Sequence, residues 1–80
     1  MTLMEILVQN LRENQQQLIL IATLHMLKML FESNTDKYAA QFDLADGLQP
    51  LEILQYSDHA KIFQPAADII INYFAGYEDD

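Results

Sequence analysis

The sequence contains no cysteine, so neither a disulfide nor a thiolate metal site is open to it, and redox usage cannot place it in a compartment. Glycine and proline are scarce, two of each, which argues against a many-turned β-sandwich. Bases are equally scarce: four Lys and Arg stand against twelve acids, for a net charge of −8. Binding to nucleic acid is not expected, because phosphate contacts need Lys and Arg, whereas a basic protein partner suits the charge. No apolar run reaches the roughly 18 residues of a membrane span, and the first residues do not read as a signal peptide. Tryptophan is absent altogether.

What the 80 residues do contain is apolar side chain. The hydrophobic fraction is 51%, too high for disorder and enough for one small core. It is spaced for helices. Leu3, Ile6, Leu7 and Leu11 make one helix face over 2–10, and the polar stretch from Asn10 to Asn14 reads as a turn. Gln15 to Ser33 is one long helix, apolar nearly all round, with a polar stripe at Gln17, His25, Lys28 and Glu32. Ser33-Asn34-Thr35-Asp36 is the next break. A short helix follows over 37–44, stopped by Asp46-Gly47, with Gly47 suited to the left-handed position after a helix. Leu48 to Tyr56 is a third amphipathic helix, with Pro50 tolerable in its first turn, and Ser57-Asp58 is a turn and cap.

The segment Asp68-Ile69-Ile70-Ile71-Asn72-Tyr73-Phe74 would suit a buried strand by propensity. Its context decides otherwise. Lys61, Gln64, Asp68 and Asn72 recur at helical spacing, so the segment ends a helix running from Ala60 to Ala75. Pro65 inside it is expected either to kink the helix or to sit in its first turn, with the regular helix then starting near Gln64. Ile69, Ile70 and Phe74 should pack on Leu51, Leu54 and the long helix.

The chain also repeats itself. Met4-Glu5-Ile6-Leu7 matches Leu51-Glu52-Ile53-Leu54 at an offset of 47, and Ile19-Leu20 and Leu30-Phe31 match Ile62-Phe63 and Tyr73-Phe74 at an offset of 43. A unit of this length built from a shorter and a longer helix falls in the armadillo/HEAT range. The short helix before the second pair favours armadillo. The expected fold is therefore all-α, a fragment of a right-handed armadillo-type helical solenoid. Residues 1–34 would be the last two helices of one repeat, and 35–80 a terminal repeat with a short acidic tail.

The residues Asp46-Gly47-Leu48, Leu51-Glu52-Ile53-Leu54-Gln55, Ile62-Phe63, Ile70-Ile71 and Tyr73-Phe74 align without a gap over about thirty positions with a known pattern. In this they resemble the end of importin-α, the nuclear-import adaptor family. That family closes its last armadillo repeat with Gly-Gly-Leu, a helix containing Ile-Glu-x-Leu-Gln, and an Ile-Ile pair shortly before Tyr-Phe and a run of acids. The resemblance implies a non-enzymatic interaction module that shuttles between nucleus and cytoplasm. The implied partners are proteins: an importin-β-type export receptor, a nucleoporin, or a second copy in a homodimer. No cofactor, small-molecule substrate, nucleic acid or membrane is implied. The family reads import signals with a ladder of Trp and Asn on the third helices of its repeats. The equivalent positions here are His25 with Met29 and Asp68 with Asn72, and only Asn72 keeps its type. The import signal is therefore not expected to bind here. An alternative reading is a free-standing truncated helical module that self-associates or competes for partners of the full adaptor.

No set of nucleophile, base and acid is visible, and no Gly-rich phosphate loop. His25 lacks a second ligand one turn away and reads as a surface or half-buried histidine. Glu5 and Glu52, at equivalent repeat positions, read as a solvated helix face, and the four methionines as core filling. The candidate partner-binding residues are Lys61, Gln64, Asp68 and Asn72 on one stripe, with Glu78, Asp79 and Asp80 in the tail. Leu3, Ile6, Leu7 and Leu18 are the candidate self-association face, since a solenoid end left open exposes apolar side chains.

Overall fold

A computed structural model of the chain describes residues 2–13 and 16–74; the tail residues Glu78, Asp79 and Asp80 lie outside that range. Among the described residues there are five helices and no strand: α1 (Leu3–Glu13), α2 (Gln17–Ser33), α3 (Thr35–Leu44), α4 (Leu48–Leu54) and α5 (Ala60–Tyr73).

The first helix opens on a signal that is local and readable. The Thr2 N–H donates to Glu5 Oε1 at 2.9 Å, and the Glu5 N–H donates to Thr2 Oγ1 at 3.2 Å. This reciprocal pair is a capping box, which satisfies two of the donors that a helix start leaves open. It follows from Thr2-Leu3-Met4-Glu5. With its N-terminus secured, α1 runs on through Asn10 to Glu13, so the polar stretch from Asn10 is helix and not turn. The reason is Leu11, which is buried and continues the face of Met4, Leu7 and Val8.

Hydrogen bonding to the Thr2 backbone N–H, and then to its hydroxyl, holds the Glu5 carboxyl below its ordinary pKa. A lowered folded-state pKa means that the cap contributes at neutral pH and is lost as pH falls through that lowered value. Thr2→Ala should lower stability by about 1 kcal/mol at neutral pH. For Glu5→Ala, the gap in urea midpoint from the parent protein should be present at neutral pH and shrink in acid. A gap independent of pH would refute the role given to the carboxylate.

One residue joins α2 to α3. The Asn34 N–H closes α2 on the Leu30 carbonyl at 3.0 Å, and its own carbonyl accepts from Tyr38 N–H at 3.1 Å. Its Oδ1 accepts from Lys37 N–H at 3.3 Å, capping α3. Thr35 Oγ1 donates back to the Phe31 carbonyl at 2.7 Å.

The turn from α3 to α4 has the hydrogen bonds of a Schellman motif: Gly47 N–H to the Phe42 carbonyl at 2.9 Å, and Asp46 N–H to the Asp43 carbonyl at 3.0 Å. The left-handed residue is Asp46, with φ 58°, whereas Gly47 sits at φ −72°. The expectation for Gly47 is thus corrected by one position. Gly47 is required for a different reason: a Cβ placed there would lie 2.5 Å from the Phe42 ring. Arg12 Nη2 ties α1 to the same turn by donating to the Asp46 carbonyl at 3.2 Å.

Helix α4 is two residues shorter than its sequence pattern, ending at Leu54. Tyr56 beyond it is exposed, so no packing extends the helix. Helix α5 begins at Ala60, its N-cap being His59, which supplies no side-chain cap. Ser57 acts one step earlier, its Oγ accepting from His59 N–H at 3.1 Å. The helix then continues through Pro65 to Tyr73, which excludes a start near Gln64. Pro65 lacks an N–H for the Lys61 carbonyl, and packing of the flanking Ile62, Ala66, Ile69 and Ile70 into the core outweighs that one bond.

α2 lies against α1, α3 and α5, while α4 lies against α5 and α1. The radius of gyration is 11.4 Å, close to the about 11.6 Å expected for a compact chain of this length. One core runs through all five helices, and at its end four rings meet. Phe31 lies 5.4 Å from Phe42, 5.1 Å from Tyr73 and 5.7 Å from Phe74 between centroids. Ile69, Ile70 and Phe74 are buried there as expected, beside Leu51 and with Leu54 partly covered. Asp68 to Tyr73 is helical and Phe74 is the C-cap.

Candidate interaction surfaces

The stripe predicted on the last helix is solvent-facing. Lys61, Gln64, Asp68 and Asn72 are all exposed, at successive turns of α5. Their side chains offer one cation, one anion and two amides in a row about 16 Å long, at 1.5 Å rise per residue. That mixture suits a polar partner surface. Chemistry is absent from it: no nucleophile adjoins a base, and among the described residues no group of three His, Cys, Asp or Glu is placed to hold a metal. His25, one turn from Met29 on α2, is exposed like the rest of that face.

The predicted apolar face is brought together in part. Leu3, Ile6 and Leu18 are exposed, Leu18 at 80%. Leu7 is not, at 5%, and leaves the set. On α1 it falls on the side of Met4, Val8 and Leu11, turned toward the core, while Leu3 and Ile6 stand on the flank. The structure adds four residues to this face, two of them methionines that the sequence reading assigned to the core. Ile19, Ala22, Met26 and Met29 are exposed along α2, so only Met4 of the described methionines fills the core. The signal was present in the all-round apolar character of α2. A helix in a small protein has one buried side, and here that side is Leu20, Thr23, Leu24, Leu27 and Phe31. Thr23 satisfies its buried hydroxyl by donating to the Ile19 carbonyl at 2.8 Å.

A third surface was not foreseen. Leu11, Arg12, Gln49, Pro50, Ile53 and Leu54 line a shallow cleft between α1 and α4, with Ile53 exposed on its α4 side. At the start of α5, His59 Nδ1 is buried without a hydrogen-bond partner.

Compared with known proteins, the chain matches no family model, no curated protein and no solved structure. Among the described residues no helix is long and apolar enough to cross a membrane.

Proposed function

We propose that this chain is a non-enzymatic protein-interaction module, the C-terminal end of an importin-α-like nuclear import adaptor. The observation that carries this reading is the turn between α3 and α4. The importin-α pattern has Gly-Gly-Leu where this chain has Asp46-Gly47-Leu48. Here the first position adopts φ 58° and the second has no room for a Cβ. Both glycines of the pattern therefore answer a physical need of this turn, which a chance match of residues would not supply. The stacking order lends further support: α4 beside α1 and α5 beside α2, with α3 preceding the second pair, is the order of successive armadillo repeats.

On this reading the module works by surface complementarity, with a protein of the importin-β-type export receptor class or a nucleoporin as partner, in nucleus and cytoplasm. The alternative, a free-standing module that self-associates or competes for the adaptor's partners, is favoured by one observation, the exposed apolar side of α2. Titrating the chain with a purified importin-β-type export receptor tests the adaptor reading. Saturable binding is expected, weakened when Asp68 and Asn72 are both replaced by Lys. No binding up to roughly 100 μM, which is weaker than about −5 kcal/mol, would overturn it.

A Lys-rich import-signal peptide should not bind this chain with saturable micromolar affinity. His25, Met29, Asp68 and Asn72 are exposed but hold no indole to sandwich a Lys stem. Weak attraction to a surface of net charge −8 is expected and should vanish with added salt. Isothermal titration at two salt concentrations separates the cases, and a saturable salt-resistant isotherm would show the prediction wrong.

A further inference from the structure

We infer that a groove along α1 receives an extended segment of a partner protein, one that carries a Lys or Arg and an apolar residue three positions apart. Three shallow clefts join to form the groove. The first, between the start of α1 and the end of α3, is lined by Glu5, Gln41, Leu44 and Ala45 among others. The second holds Glu5, Gln9, Arg12 and Ala45, and the third holds Arg12, Gln49, Pro50 and Ile53. Glu5 and Ala45 are shared by the first two and Arg12 by the last two, so the clefts follow one another along one side of α1. From Glu5 to Arg12 the helix rises about 10 Å.

The first cleft suits a cation. No Lys or Arg lines it. The Glu5 carboxylate is fixed there by the Thr2 N–H at 2.9 Å and is held ionised at neutral pH. The ten-residue α3 ends beside it and adds the negative end of its dipole. Asp43 and Asp46, both exposed on the same turn, extend the negative field. Leu44, 85% exposed, offers the stem of a Lys or Arg an apolar surface to lie on.

The third cleft suits an apolar residue. Pro50, Ile53 and Leu54 form its α4 wall, and Leu11 lies across from them. Arg12 at its edge turns away a second cation. The groove therefore has a polarity, with the partner's cation at the α3 end and its apolar residue at the α4 end.

Glutamines decide the conformation of the occupant. Each cleft has one: Gln41, Gln9 and Gln49 in turn. Gln9 Nε2 donates to Glu13 Oε2 at 3.4 Å, which steadies that amide beside the middle cleft. A glutamine amide both donates and accepts. A bound helix has spent its backbone groups internally, whereas an extended backbone can use all three amides. Three residues of polyproline-type chain rise about 9 Å and return to the same face, which matches the span from Glu5 to Arg12. A run of lysines fills the first cleft and leaves the third empty, in keeping with the weak, salt-sensitive attraction expected of an import signal.

The test is a titration of the isotope-labelled 80-residue chain, followed by amide NMR shifts, with the peptide acetyl-Gly-Arg-Ser-Ser-Leu-Gly-amide up to about 2 mM. Saturable shifts at Leu44, Ala45 and Ile53 are expected, with a Kd below about 1 mM. Replacing the peptide's Arg by Glu, or its Leu by Ser, should weaken binding about tenfold, so that no saturation is reached. Glu5→Gln should do the same while leaving α1 capped, since Gln serves in a capping box as Glu does. Ile53→Ser, at an exposed position away from that cap, should also weaken it. No saturation by the parent chain, shifts confined to another surface, or an affinity unchanged in either variant would overturn the inference. The export-receptor titration reads Asp68 and Asn72 on α5, so the adaptor reading stands or falls separately.

Discussion

Phe31→Ala should lower the free energy of unfolding by about 3–5 kcal/mol, the cost of removing a large buried ring and leaving a cavity. Phe31 is fully buried and is the hub of the ring cluster, in contact with Phe42 of α3 and with Tyr73 and Phe74 at the end of α5. Its edge-on approaches to Phe42 and Phe74 each add about 0.5–1.5 kcal/mol beyond area burial. At about 0.05–0.15 kcal/mol per residue, a chain of this length has only about 4–12 kcal/mol in total. The variant should therefore be largely unfolded or close to it at 37 °C. Urea unfolding followed by helical circular dichroism measures this. A loss under about 1 kcal/mol would refute the central place of the cluster. Ile71→Ala, at an exposed position on α5, is the control and should change stability by less than about 0.5 kcal/mol.

Neighbouring positions in one turn should respond to substitution with opposite signs. Gly47→Ala should destabilise by about 1–3 kcal/mol, because the added methyl overlaps the Phe42 ring and that ring has nowhere to go. Phe42 is fully buried and stands 5.4 Å from both Phe31 and Phe74. Asp46→Gly should stabilise by up to about 1 kcal/mol, since an L-residue at φ 58° carries a steric cost that glycine does not. The Arg12 hydrogen bond is made to the Asp46 backbone carbonyl and survives the change. Denaturation midpoints of the two variants test the assignment directly. Were Gly47→Ala neutral and Asp46→Gly destabilising, the turn would have the conformation that the sequence pattern alone suggests.

That one-residue difference shows where sequence reading succeeds and where it stops. Helix identity was legible because burial has a period. The spacing of Lys61, Gln64, Asp68 and Asn72 correctly overrode the strand propensity of three successive isoleucines, and the break at Asn34 was marked by its polar neighbours. Boundaries were less legible because they depend on contacts distant in sequence. Asn10 looks like a turn until Leu11 is seen to be buried, and Gly47 looks like a left-handed residue until the Phe42 ring is seen above it. The surface stripe of α5 was placed correctly because one face of an amphipathic helix must meet solvent. The apolar face was harder. In α2 nearly every side is apolar, so periodicity does not say which side is inward, and Leu7 was assigned outward for a related reason: it borders both faces of α1. The capping box at Thr2 and Glu5 could have been read directly from its four residues.

The joint at Asn34 has a consequence for how chains of this kind can vary in length. A single residue ends α2 and begins α3, with its N–H, carbonyl and side chain all engaged. One inserted residue would advance α3 by about 100° around its axis. Phe42 would then swing out of the ring cluster, and no slack in the connection would absorb the rotation. The longer connection from Gln55 to His59 carries no such constraint. Insertions and deletions should therefore collect between α4 and α5, and the step from α2 to α3 should keep its length even where its residues change.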